Sequence, residues 1–113
     1  MSIKVGGKKM NLDIERAKQD YEYWDRRLKI LFYEGSVKIK KQKELLAKSG
    51  GVKNSVILDL EKEIALDDNE FRKVKAKVLD LDNILYMSGV KDKVETDAEL
   101  DTRLFNYLFK ERV

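Results

Sequence analysis

Two long apolar stripes separated by Ser49-Gly50-Gly51 constrain this chain more than any other feature. The second stripe runs Ile57, Leu60, Ile64, Asp67, Phe71, Val74, Val78, Leu81, Leu85, an unbroken alternation of three- and four-residue steps with one polar member. Such steps keep every residue on one face of an α-helix, and a strand, with its period of two, cannot use them. The first stripe runs Ile14, Ala17, Tyr21, Trp24, Leu28, Phe32, Gly35, Ile39, Gln42, Leu46. Its two successive four-residue steps, through Leu28 and Phe32, mark a stutter that relaxes any supercoil locally. Glycine beyond a helix C-terminus readily takes the left-handed conformation, so Ser49-Gly50-Gly51 reads as a stop and a turn.

The stripes can be tested against each other. Residues that face across an antiparallel hairpin keep a constant sum of residue numbers. Leu46 with Ile57, Ile39 with Ile64 and Phe32 with Phe71 all give 103. Leu28 with Val74, Trp24 with Val78, Tyr21 with Leu81 and Ala17 with Leu85 give 102. The register holds from the turn to the far end. The prediction is an all-α fold, a long coiled-coil-like antiparallel hairpin plus a shorter C-terminal helix, in one domain of 113 residues.

The boundaries follow from local chemistry. Residues 1–11 read as an N-terminal arm, with Gly6-Gly7-Lys8-Lys9 as its flexible part. Asn11 is a plausible N-cap, with Asp13 and Glu15 in the first turn where the helix dipole favours negative charge. The first helix is expected over residues 12–48, and the second over 54–88 with Ser88-Gly89 as its end. Thr96 with Glu99 three residues later forms a capping box, which predicts a third helix over 97–111. Gly35-Ser36 is either a point of close contact within one continuous helix or a break. The seam continues on both sides of it, which favours continuity.

Charge supports the pairing. Residues 1–50 carry thirteen Lys/Arg against seven Asp/Glu, and residues 51–113 carry eleven against fourteen. The basic run Lys38, Lys40, Lys41, Lys43 lies across the hairpin from Asp59, Glu61 and Glu63, and opposed flanking charges favour this partner and this register. Much of the apparent basic patch is thereby absorbed by the fold.

Composition excludes much chemistry. With no cysteine and no histidine, the chain cannot form disulfides, Cys/His zinc sites or imidazole acid–base systems. Gly6-Gly7-Lys8-Lys9 lacks the GxxxxGK[ST] spacing of a phosphate loop. Asp67, Asp68 and Glu70, with Asp80 and Asp82 further on, are the best carboxylate group. The positions facing Asp67 are Phe32 and Gly35 rather than acids, and Asp80 and Asp82 sit several turns further along, so solvated helix charges explain the group better than a magnesium site. Asp67 occupies a seam position opposite Gly35. It reads as a register-fixing polar residue beside a packing defect, bonded to Ser36, Lys38 or a water. No cofactor, metal or small-molecule substrate is therefore expected, and the chain reads as not an enzyme. Met1-Ser2-Ile3-Lys4-Val5 lacks the apolar stretch of a signal peptide and no segment approaches the length of a membrane span, so a cytoplasmic location is expected.

Surplus apolar surface suggests the function. Ile30, Leu31, Tyr33, Leu45, Leu58, Leu66, Leu79, Ile84 and Tyr86 lie off the seam. The third helix fans Leu100, Leu104, Phe105, Tyr107, Leu108 and Phe109 over about 200° of its circumference, more than one contact with the hairpin can cover. Leu104, Phe105, Leu108 and Phe109 are the candidate partner-binding residues. The leading expectation is a self-assembling interaction protein, a homo-oligomer or the partner of another protein. Its small, Lys-rich composition suits an accessory factor of a phage or mobile element. The alternative is a nucleic-acid-associated replication or recombination helper, binding through Lys8, Lys9, Arg26, Arg27 and Lys29, with Tyr23 and Tyr33 as surface stackers.

Overall fold

The computed structural model describes the backbone of residues 2–112 and the side chains of residues 13–110. Three helices follow in order, α1 (Ser2–Lys48), α2 (Ser55–Met87) and α3 (Asp97–Arg112). The molecule is a rod of 72 × 26 × 20 Å. At about 1.5 Å per residue, α1 alone accounts for the long dimension.

The hairpin forms as the stripes require. The Phe32 and Phe71 rings, a pair in the register, lie 5.9 Å apart between centroids. Nearer the turn, Gln42 Nε2 donates to Glu61 Oε1 at 3.1 Å. Nearer the other end, the Lys77 ammonium sits 4.1 Å above the Trp24 ring.

Helix ends are set by the residues that the spacing singles out. Gly51 N–H bonds to the Leu46 carbonyl at 2.8 Å and Gly50 N–H to that of Ala47 at 3.3 Å, with positive φ at both glycines. This crossed pair satisfies two of the last carbonyls of α1. The same pair closes α2, where Val90 N–H reaches Leu85 at 2.9 Å and Gly89 N–H reaches Tyr86 at 3.0 Å. Asn54 Oδ1 caps α2 by accepting from Ile57 N–H at 3.0 Å. At α3 the capping box is reciprocal: Glu99 N–H donates to Thr96 Oγ1, and Thr96 N–H donates to Glu99 Oε1, both at 3.1 Å. The bond from Thr96 holds the Glu99 carboxyl below its ordinary range, with Lys93 adding to the effect.

Two features of α1 bear on the expectations. The helix runs through Gly35-Ser36 without a break. It also begins at Ser2, so the segment expected as an arm over residues 1–11 is helical from its second residue rather than capped at Asn11. A helix already nucleated propagates at one hydrogen bond per residue fixed, and without proline a glycine pair slows that propagation without stopping it.

The core sits at the open end of the hairpin, opposite the turn. Leu28 and Leu31 of α1, Val74 and Val78 of α2 and Leu100 and Leu104 of α3 form one buried cluster. Leu31, off the two-helix seam, is nonetheless buried in the same cluster. Toward the turn, α1 and α2 pack alone, and Ile57 and Leu60 are the buried apolar residues there.

Candidate interaction surface

The position of α3 decides which apolar residues remain exposed, and a polar latch sets that position. Arg103 is its centre. Its Nη1 donates to Asp25 Oδ2 at 3.0 Å, while Nε and Nη2 form a two-pronged contact with Glu95 at 3.0 and 3.1 Å. Nη2 also lies 2.7 Å from the buried Asp25 Oδ1, which has no aligned hydrogen bond and is held by charge. Burial works against the Arg103 charge, but the bonds to Glu95 and Asp25 outweigh it, so the guanidinium is held more firmly protonated than usual. Lys29 joins the group 3.3 Å from Asp25 and lies 5.6 Å from the Tyr107 ring centre.

Asp82 is the second element of the latch and is almost wholly buried, at 1% exposure. One of its oxygens accepts from Glu95 N–H at 2.7 Å and the other from the Lys91 ammonium. The carboxylate thus holds the loop between α2 and α3 by backbone and side chain together. Tyr21 lies beside this network under Lys91. Burial pushes its phenol up to about 12; Arg103 opposes the shift, and Asp25, Glu95 and Asp82 reinforce it. On the other flank, Lys75 bridges Asp97 at 2.9 Å and Asp101 at 2.8 Å. By sequence alone Asp82 falls among the solvated carboxylates of α2. It belongs to the buried latch because α3 and its loop close over it.

With α3 fixed, the candidate partner-binding residues separate. Leu104 is fully buried in the core and is unavailable to a partner, because the face centred on Leu100 and Leu104 is the one that docks. Leu108 is partly buried. Phe105 packs edge-on against Phe32, 5.3 Å between centroids, yet stays 55% exposed. Phe109 is 68% exposed.

Phe32 also walls an open groove of about 370 Å³ between α1 and α2, lined by Gly35, Ser36, Ile39, Ile64 and Phe71. This is the expected packing defect. Lys38 Nζ donates to Asp67 Oδ2 at 2.6 Å, and the Ser36 hydroxyl donates instead to the Phe32 carbonyl. The bond to Asp67 raises the Lys38 pKa. A β-carbon on Gly35 would meet nothing within 4 Å, so Gly35 leaves space rather than allowing close contact.

The candidate nucleic-acid contacts are partly engaged within the fold. The side chains of Lys8 and Lys9 lie outside the described residues. Arg27 Nη2 is bound to Glu70 at 2.8 Å, and Lys29 belongs to the latch. Arg26 is exposed and has no ion-pair partner among the described residues. No group of three or more acidic, His or Cys side chains is arranged to hold a metal ion among the described residues. None of the described helices is long and apolar enough to cross a membrane.

The off-seam apolar residues also divide. Leu31 is buried, and Leu45 and Leu79 are partly covered. Ile30, Tyr33, Leu58, Leu66, Ile84 and Tyr86 remain exposed. Asp25 and Asp82 are what sequence reasoning missed, and a signal existed for each. Asp25 lies four residues after Tyr21 and three before Leu28; Asp82 lies four after Val78 and three before Leu85. Both therefore belong to the apolar face. Comparison with family models, with curated proteins and with solved structures yields no match.

Proposed function

We propose that this chain is a non-enzymatic helical interaction protein that assembles with copies of itself. The supporting observation is the extent of large apolar side chains left in solvent after α3 has docked. They include Tyr23, Ile30, Tyr33 and Val37 on α1, Leu66 and Met87 on α2, and Phe105 and Phe109 on α3. Scattered apolar residues are ordinary on a surface, but a concentration on one helix face marks a site of association. A second copy is the most economical partner, because one surface then serves both chains.

On this reading the protein acts as a cytoplasmic scaffold or accessory factor, of the kind that phages and mobile elements encode. Sedimentation velocity at micromolar concentration tests the assembly. The expected result is a species heavier than the 13.2 kDa chain that dissociates on dilution. A clean monomer across that range overturns the proposal.

A further inference from the structure

Two kinds of contact join α3 to the hairpin. The first is apolar, through Leu100 and Leu104, its buried apolar residues. The second is polar, and it has one chemistry throughout. Among the described residues, every hydrogen bond and ion pair between the hairpin and residues 91–110 has a carboxylate as its acceptor. Asp25 of α1 holds Arg103, and Asp82 of α2 holds Lys91 and the Glu95 N–H. Lys75 of α2 is held by Asp97 and Asp101 of α3.

The surroundings of these carboxylates make their charge indispensable. Asp25 is faced by Arg103 from α3, and by Lys29 and Tyr21 from its own helix. Asp82 is faced by Lys91 and the Glu95 N–H from the loop, and by Tyr21 from α1. Glu95 shares Arg103 with Asp25. A protonated Asp25 leaves Arg103 and Lys29 side by side with no counter-charge between them, and like charges repel. A protonated Asp82 no longer offsets the Lys91 charge, and while α3 and its loop stay closed over it, water cannot replace the lost partner.

The hairpin carries ion pairs of its own, but they lie at its rim. The carboxylates of Arg27–Glu70, Lys38–Asp67 and Lys53–Glu61 are 48%, 23% and 28% exposed, against 12% at Asp25 and 1% at Asp82. Exposed pairs contribute little to stability. The seam beneath them pairs apolar residues from Ala17 with Leu85 to Leu46 with Ile57, without any residue of α3.

We infer that α3 is an acid-released strap: protonation of Asp25, Asp82, Glu95, Asp97 and Asp101 frees α3 and its loop from a hairpin that stays paired. Release draws Leu100 and Leu104 out of the cluster they share with Leu28, Leu31, Val74 and Val78, and so brings apolar surface into solvent. The inference stands apart from the self-assembly reading, since it concerns contacts within one chain.

The chain has no native cysteine, so Leu104→Cys and Ile57→Cys each place a single thiol at a fully buried site, one under α3 and one in the seam near the turn. Their reaction with 4,4′-dithiodipyridine, which reads thiols in acid as well as at neutral pH, is compared with the urea-unfolded variants at the same pH. Both thiols should be protected at neutral pH. As pH falls through the carboxyl range, about 5 to 3, the Leu104→Cys thiol should lose about tenfold or more of its protection while that of Ile57→Cys changes by less than about threefold. Hydrogen exchange of the unsubstituted protein, corrected for the intrinsic effect of pH, makes the same measurement where Leu104→Cys fails to fold. Amides of α3 should then open in acid while those of residues 17–46 and 57–85 stay protected. Asp82→Asn, which keeps the shape of the side chain and discards its charge, should move the release of α3 to higher pH. Joint loss of protection in all three helices overturns the strap, because the molecule then opens as one unit. Protection of α3 that persists below the carboxyl range, or a release midpoint unmoved by Asp82→Asn, overturns the role of the carboxylates.

Discussion

The two ends of the hairpin are made from the same kind of seam but are held in different ways. At the open end, three helices enclose Leu28, Leu31, Val74, Val78, Leu100 and Leu104, and two buried carboxylates tie down α3 and its loop. At the turn end, two helices meet along one stripe, with Ile57 and Leu60 buried and the half-exposed pairs Lys38–Asp67 and Lys53–Glu61 beside them. A two-helix seam shields each side chain from one direction, whereas a third helix closes it off. Stability is therefore concentrated where α3 lies, and the turn end depends on local signals such as the glycines and the Asn54 cap.

The largest expected contrast is in core truncation. Leu104→Ala should cost about 3 kcal/mol in urea unfolding followed by the fluorescence of Trp24, since a fully buried leucine leaves a cavity. Leu46→Ala, in the half-covered seam near the turn, should cost about 1 kcal/mol. Equal losses would mean that the two ends are equally packed.

The carboxylates should differ next. Asp82→Ala leaves Glu95 N–H and the Lys91 ammonium without their acceptor, and should cost about 2 kcal/mol. Asp67→Ala breaks a partly exposed pair and should change stability by no more than about 1 kcal/mol. A smaller loss at Asp82 than at Asp67 would contradict the latch.

Glycine substitutions sharpen the contrast within the turn half. Gly35→Ala should stabilise the protein by roughly 0.5–1 kcal/mol, because the helix is continuous there and the added methyl meets open space. Gly50→Ala, at φ 67°, should destabilise it by about 1 kcal/mol. Thermal melts of the two variants should move in opposite directions.

The smallest effect appears only in alkali. The Tyr21 phenol titrates near 12 in the folded protein against its ordinary 10.0. Folding therefore favours the protonated form, and this contribution is intact below pH 10 and lost as pH rises toward 12. In a spectroscopic phenolate titration, one of the five tyrosines should ionise late, and Tyr21→Phe should remove that phase.

What could be read from the sequence follows the same division. The hairpin register, the turn, the Asn54 cap and the Thr96–Glu99 box were legible because each depends on residues a few positions apart or on one repeating interval. The latch was not, although Asp25 and Asp82 both keep the apolar spacing. A carboxylate's burial depends on partners such as Arg103, which is 78 residues from Asp25. The start of α1 was misjudged for a different reason. Gly6-Gly7 weakens a helix by an amount that propensity can estimate, but whether that ends the helix depends on the anchored segment it extends. Among the candidate partner residues, Leu104 and Phe105 are adjacent in the chain yet fall on opposite sides of the line between core and surface, which only the docking of α3 draws.

The separation of Asp25 and Arg103 has a consequence for the order of folding. Bringing Leu46 to Ile57 closes a loop of eleven residues across the glycine turn. Closing Asp25 onto Arg103 spans 78, and chain entropy makes that closure costlier by about 1.7 kcal/mol. The hairpin should therefore zip from the turn outward, with α3 docking last. The end that contributes least to the final stability would then be the nucleus. Substitutions near Leu46 and Ile57 should slow refolding, whereas those at Arg103 and Leu104 should mainly speed unfolding.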